Sequence, residues 1–165
     1  MGANETARGR ALVMQPGEGR SFWQPMPANG HAEPKLVPGE TGFVGLSMGF
    51  QTIAPHSRVR AHSHADQIEL QIGFKGAGIA RLDGVEHPIV PGTTCFLGYD
   101  VKHEIINDSD EELVMIWVIA PGGLESFFEA IGRPRTAGEP APEPFARPDD
   151  VVALERSLGL NDTSA

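Results

Sequence analysis

The chain has 165 residues, a formal net charge of −9, 20 glycines and 14 prolines. That is the length of one domain with a proper core, punctuated by turns rather than drawn out in long helices, and its acidic balance, with no Lys/Arg cluster to overrule it, argues against binding to phosphate backbones or anionic membrane surfaces. No stretch approaches the roughly 20 apolar residues that span a bilayer, and Cys95, the single cysteine, allows no intrachain disulfide, so the expected setting is the cytoplasm.

Residues 1–40 read as an N-terminal arm: 1–20 are polar, glycine-rich and flexible, and Phe22 and Trp23 then supply an apolar anchor against the body or a neighbouring subunit. From Gly42 the run GFVGLSMGFQTI alternates as a strand does. PHSR turns it, residues 59–64 are a short polar strand, and 67–74 form another. GAGIARLDG, EHPIVPG, TTCFLG and HEIIN follow as short strands and turns. ELVMIWVIA is the most apolar strand, expected to be buried on both faces or at a dimer interface. Strand signals at this spacing, with no helix between them, predict an all-β sandwich or barrel over residues 41–120. At Pro121 the period changes. GGLESFFEAIG places Leu124, Phe127, Phe128 and Ile131 on one helical face. Residues 134–148 read as a surface linker, DDVVALERSLG as a second short helix capped by Asp149 or Asp150, and LNDTSA as a frayed end. Residues 121–165 thus form a C-terminal helical tail.

The chemistry concentrates in His62-Ser-His64-Ala-Asp-Gln-Ile-Glu69. Residues i and i+2 of a strand share a face, so His62 and His64 point into one space. Glu69 has the wrong parity for a straight strand, and a turn or bulge at Ala65 and Asp66 is needed to reset it. Gln67, Glu69 and Gln71 then share a face. Three polar residues on the inner face of a strand need an interior reason, which a bound metal supplies. His103 opens a later strand that antiparallel pairing can return beside them. Three imidazoles and one carboxylate suit one divalent transition metal, Fe(II), Mn(II), Ni(II), Co(II) or Zn(II). The competing reading of His62 and His64 is a pair of exposed turn histidines.

HSHADQIELQIGFKG (62–76) and GTTCFLGYDVKHEIIN (92–107) resemble the two motifs of the cupins. The first motif is matched at His62, His64, Glu69 and Gly76, with His56 where its leading glycine stands. The second is matched at Gly92, His103 and Asn107, with Gly98 in place of a proline and Asp100 in place of a glycine. The resemblance implies a double-stranded β-helix, the cupin jelly-roll barrel, holding a metal through His62, His64, Glu69 and His103. APGGLESFFEAIG is similar to the tail of small quercetinase-like cupins, which implies a non-haem Fe(II) dioxygenase cleaving a small aromatic, enol or diketone-like substrate. The alternatives are an oxygen-independent isomerase, decarboxylase or lyase and a non-catalytic small-molecule-binding module.

Gln71 and His56 are the candidate catalytic residues beside the metal, the first as a partner of ligand or substrate, the second as an acid–base group. His31 is a further acid–base candidate. Gln67 is a weaker partner of the same kind as Gln71, and Met48, Phe50, Phe96 and Trp117 are candidates for an apolar substrate wall. The expected partners are a small-molecule substrate and a second copy of the chain.

Overall fold

The computed structural model describes residues 8–162. In chain order the elements are β1 (Phe22–Trp23), β2 (His31–Leu36), α1 (Pro38–Thr41), β3 (Ser47–Ile53), β4 (Ser57–His64), β5 (Ile68–Lys75), β6 (Gly78–Leu82), β7 (Val85–Ile89), β8 (Thr94–Leu97), β9 (His103–Asn107), β10 (Leu113–Ala120), α2 (Leu124–Ile131), β11 (Arg133–Pro134), α3 (Val151–Ser157) and β12 (Leu160–Asp162). They form two antiparallel sheets, one of order β11-β1-β2-β3-β10-β5-β8 and one of order β12-β4-β9-β6-β7. The result is the expected cupin-type jelly-roll barrel with short flanking helices. No helix among the described residues is long and apolar enough to cross a membrane.

The alternation read from the sequence decides what faces inward. Along β10, Leu113, Met115, Trp117 and Ile119 are buried, while Val114, Ile116 and Val118 between them are half-buried. This strand is therefore two-sided, not buried on both faces. One core cluster contains Ile53, Ile89, Leu97, Ile105, Leu113 and Met115. A second joins Phe22, Trp117, Ile119, Leu124, Phe128 and Leu160. Each such side chain contributes roughly 1.5–3 kcal/mol when removed from water.

The turns between strands are fixed by polar side chains and by one glycine. Asn107 lies at the end of β9, where its Nδ2 donates to the carbonyls of Ile53, Ala54 and Glu111 and its Oδ1 accepts from the Ser109 amide. This ties the β9–β10 turn to the end of β3. At Gly76 φ is 80°, and a Cβ there would stand 2.3 Å from the Glu112 carbonyl oxygen, so no larger residue fits this turn unchanged.

The arm and tail enter the sheets more fully than their composition suggests. Phe22 and Trp23 are strand β1, paired with Ala32 and His31 on one side and with Pro134 and Arg133 on the other. Residues 134–148 follow the surface and are pinned to it. Trp23 Nε1 donates to Glu139 Oε1 at 2.6 Å, the Met26 amide donates to the Phe145 carbonyl, and the Arg133 guanidinium lies 3.9 Å from the Phe145 ring centroid. Leu160–Asp162, expected to fray, pair with His64, Ser63 and His62 of β4. Of the stretch expected to be flexible at 1–20, residues 1–7 lie outside the described residues, as do the last residues 163–165.

Helix α2 turns its apolar face to the barrel, burying Leu124, Phe128 and Ile131. Phe128 packs with its ring centroid 5.5 Å from that of Trp117. The helix start is fastened by Glu125, whose Oε2 accepts from the Ser47 hydroxyl at 2.8 Å and from the Gly123 amide at 3.2 Å.

Candidate metal centre and cavity

His62 and His64 sit at the end of β4, and His103 opens β9. The two strands pair with His62 opposite His103, which sets their ring centroids 4.2 Å apart. The chain then leaves one sheet for the other across 65–67, so that Glu69 arrives from β5 on the opposing sheet. This crossing performs the parity reset that the sequence required, and Glu69 and Gln71 both end up buried. Three histidines from one sheet and a carboxylate from the other bring one ligand atom each to within 4.8 Å of one another.

Which atoms converge is fixed by backbone partners. Nδ1 of His62 lies 2.8 Å from the Arg60 carbonyl and Nδ1 of His103 lies 2.9 Å from the Val101 carbonyl. As donors to these carbonyls, both rings keep their Nε2 lone pairs for the interior. Nε2 of His64 is 3.1 Å and Nε2 of His103 is 3.2 Å from Glu69 Oε2. The other oxygen, Oε1, accepts from Gln71 Nε2 at 2.6 Å.

The cluster fits a divalent ion on three grounds. Glu69 is only 1% exposed, and an isolated carboxylate there would be costly. His103 Nε2 is buried and has no well-directed hydrogen bond among the described residues, as expected of a ligand atom. Three neutral nitrogens and one oxygen are a donor set for a divalent transition metal.

Burial and neighbouring charges prepare His62 and Glu69 for this role and leave His103 favouring its proton. Burial, then the proximity of His103 and His64, lowers the His62 pKa to about 3, so its ring is neutral at physiological pH. For Glu69, burial alone would favour the acid, but the imidazoles of His103 and His64 outweigh it and hold the carboxyl below its usual range. For His103, burial pushes downward and is outweighed by the adjacent Glu69, leaving its pKa raised.

A pocket with about 780 Å³ of empty space, part of it open to solvent, reaches this cluster and is lined there by His62, Glu69, Gln71 and Gln51. One wall is apolar and comes from α2, through Leu124, Phe127, Phe128 and Ile131. Residues 24–28, between β1 and β2, form another side. The stretch of β4 from Arg58 to Ala61 lines a further side, with Ile105, and the tail adds Arg147, Glu155 and Leu160.

Gln71 is therefore in the site. His56 is not brought to it: it occupies the β3–β4 turn, its side chain is 64% exposed, and it bonds Asp110 at 2.9 Å. His31 lies on β2, where its Nε2 meets Thr52 Oγ1 and its ring meets Trp23 edge-on. Gln67 is likewise outside the cluster, its Nε2 donating to the Pro121 carbonyl. The apolar wall expected from Met48, Phe50, Phe96 and Trp117 is not the one found. Phe96 is 67% exposed and Trp117 is fully buried in the core. Met48 and Phe50 pair across from the outward-facing Val118 and Ile116. The residues missed are Gln51, the α2 wall, Arg147 and Glu155. Of these only α2 carried a signal, its amphipathic spacing.

The two motif glycines that the sequence replaces keep the backbone shape of glycine. His56 has φ 53° and Asp100 has φ 60°. Asp100 is among the residue types that tolerate the left-handed region best, and its amide donates to the His64 carbonyl at 2.9 Å. The loop before His103 thus holds the end of β4.

Residues 49–119 match the family model described as Cupin domain. Among curated proteins, Protein SchB of Streptomyces halstedii is 29% identical over 86 residues, which is 52% of this chain and 62% of that protein. A sugar phosphate isomerase of the cupin superfamily from Silicibacter pomeroyi superposes with a TM-score of 0.59 at 17% identity, over 66% of this chain and 75% of that one. A predicted oxalate decarboxylase from Thermotoga maritima superposes with a TM-score of 0.60 at 21% identity, over 67% of this chain and 99% of that one. At these identities the structural likenesses establish the fold.

Proposed function

We propose that this chain, in which residues 49–119 form a cupin domain, is a metal-dependent enzyme that transforms a small organic molecule without consuming dioxygen, as an isomerase, decarboxylase or lyase. The observation that carries the reading is the convergence of three imidazoles and one carboxylate, ligand atoms within 4.8 Å, on a pocket also lined by Gln51, Gln71 and the apolar side of α2. Known structures that share this fold include a sugar phosphate isomerase of the cupin superfamily and a predicted oxalate decarboxylase, so the barrel is compatible with such chemistry.

A divalent ion held by His62, His64, Glu69 and His103 would supply Lewis acidity toward a substrate oxygen. The imidazoles would contribute no charge and Glu69 one negative charge, so the loaded site would be cationic and would favour an oxyanion. Gln71 orients Glu69 by donating to Oε1. Gln51, on the same lining, is placed to hydrogen-bond a substrate oxygen. Leu124, Phe127 and Phe128 exclude water along one side, which strengthens every electrostatic interaction within.

Dioxygenase chemistry is the second reading. It is favoured by the aromatic α2 wall, which suits a ring or diketone, and by a donor set that Fe(II) accepts. The two readings separate by gas phase. Protein loaded with Mn(II), Ni(II), Zn(II) or Fe(II) under argon is screened against hydroxy acids, oxo acids, sugar phosphates and diketones by NMR. Turnover under argon is the expected result. Turnover only in air, with oxygen uptake, would replace this reading by the second.

The assembly proposed is a homodimer through the outer face of the larger sheet. Support comes from the apolar rows that β3, β10, β5 and β8 present there. The single cysteine, Cys95, is a buried free thiol, which fits a reducing cytoplasm.

A further inference from the structure

The tail beyond the matched domain places Arg147 in the wall of the same pocket that reaches the metal ligands. Its side chain is 16% exposed, and its Nη2 is paired with Glu155 on α3. Its Nη1 is buried and has no hydrogen-bond partner among the described residues. A guanidinium is a planar fork that holds two acceptors side by side. Here one edge is held by a protein carboxylate, and the adjacent donor, on a residue that lines a cavity, has none. Leaving a buried charged donor unmet is costly, and such a group calls for a missing acceptor.

The surroundings say which acceptor fits. Arg58, which also pairs with Glu104 at 3.4 Å, and Arg60 line the same pocket, so that three arginines and two carboxylates, Glu69 and Glu155, share its lining. In a chain of net charge −9, this concentration of guanidinium groups is local. A divalent ion at the histidine cluster would make the lining more cationic still. An apolar side comes from Met26, Leu124, Phe127 and Phe128, and the neutral polar groups of Gln24, Gln51 and Gln71 lie in the same lining.

We infer that Arg147 is a specificity-determining residue that binds an anionic group of the substrate, a carboxylate in the first instance, while α2 covers its apolar or aromatic body. The inference rests on the reading of the pocket as the substrate site and names its substrate class, an apolar carboxylate. Glu155 acts through Arg147 as a positioning residue: it fixes the guanidinium plane and leaves Nη1 for the ligand.

The test uses the full chain loaded with Zn(II), and calorimetric titration with cinnamate and 2-naphthoate against their neutral isosteres cinnamamide and 2-naphthamide. Metal content per chain is measured on each sample. The wild type is expected to bind each carboxylate at least about tenfold more tightly than its amide, the scale of one charge-assisted hydrogen bond. Arg147→Gln is expected to abolish that preference and leave metal content unchanged. Because Arg147→Gln leaves Glu155 buried without its partner, the double variant Arg147→Gln with Glu155→Gln is measured beside it, with the same expectation. Equal affinity for acid and amide in the wild type, or binding of neither, overturns the inference. A preference that survives in the variants also overturns it, since the carboxylate would then be held by the metal alone. Loss of metal from the wild type would instead sink the reading of the site.

Discussion

Gln71 Nε2 donates to Glu69 Oε1 at 2.6 Å, and this leaves Glu69 Oε2 as the oxygen that meets His64 and His103. One amide thereby decides how the carboxylate is presented to a metal. Removing it frees the carboxylate to rotate and leaves Oε1 unpaired in a buried site. Gln71→Ala is expected to weaken metal binding by about 10- to 100-fold, the usual effect of losing a ligand's supporting hydrogen bond. Chelator competition on the folded variant, checked by circular dichroism, measures it. Unchanged affinity would show that Glu69 needs no such support.

The imidazole pair makes a stricter prediction. His62 and His64 supply two of the four converging ligand atoms. The double variant His62→Ala with His64→Ala is expected to retain no stoichiometric metal. Thermal unfolding reads the same event independently, because a ligand bound only by the native state stabilises it by about 2.7 kcal/mol at one hundred times its dissociation constant. Metal is expected to raise the Tm of the wild type by several degrees and leave that of the double variant where it was.

The pH dependence of the metal-free protein follows from the same cluster. His62 has its folded pKa lowered from 6.5 to about 3. Between those values the unfolded chain binds a proton that the native state refuses, so stability is lost as the pH falls, by up to about 1.4 kcal/mol per pH unit. Glu69, whose pKa is also lowered, adds to the loss below its ordinary value of 4.5. His103 acts in the opposite sense. Its pKa is raised, so the stability it contributes is complete below 6.5 and is lost as the pH rises above that value. The metal-free protein is therefore expected to be most stable near pH 6.5, with the steeper fall on the acid side. Metal binding displaces the His103 proton, so the Tm gain on adding metal is expected to grow as the pH rises from 6.5. A gain independent of pH would mean that His103 is not a ligand.

Much of this site could be read along the chain because its geometry is local. His62 and His64 are two apart on one strand, and the parity mismatch at Glu69 announced the crossing between sheets. The strands from β3 to β10 were legible in the alternation of β3 and in the short runs between turn residues that follow, although β7 is exposed at four of its five positions. What escaped were contacts that depend on where distant segments meet. β1 and β11 are two residues each and exist through the pairing of Phe22 with Pro134. Phe50 and Phe96 carry the apolarity of a substrate wall, but strand parity points them outward. Arg147 and Glu155 sit in a segment whose proline-rich composition signals only a linker. The motif substitutions were visible, but their harmlessness was not, since φ cannot be read from residue type alone. Asp100 at φ 60° yields a direct check. Asp100→Gly keeps the amide bond to His64, and its small relief at positive φ is offset by the entropy cost of glycine, so Tm and metal affinity are expected to stay unchanged, whereas Asp100→Val is expected to lower stability by about 1–2 kcal/mol.

The outward face of the larger sheet is apolar across four strands. Ile116 on β10 pairs with Phe50 on β3 and Ile72 on β5. Val118 pairs with Met48 and Leu70, and Leu70 pairs in turn with Phe96 on the edge strand β8. An antiparallel sheet facing water normally carries polar residues there. Phe96 and Phe74 stand 67% and 56% exposed, more apolar surface than a monomer usually leaves open in one region. A second copy placing the same face against this one would cover both rows by twofold symmetry. Sedimentation at micromolar concentration is expected to show a dimer for the wild type and a monomer for the variant Phe96→Asp with Phe74→Asp. Because both side chains are exposed, the variant should keep its fold and its metal. A wild type that sediments as a monomer would leave these rows without the partner assigned to them.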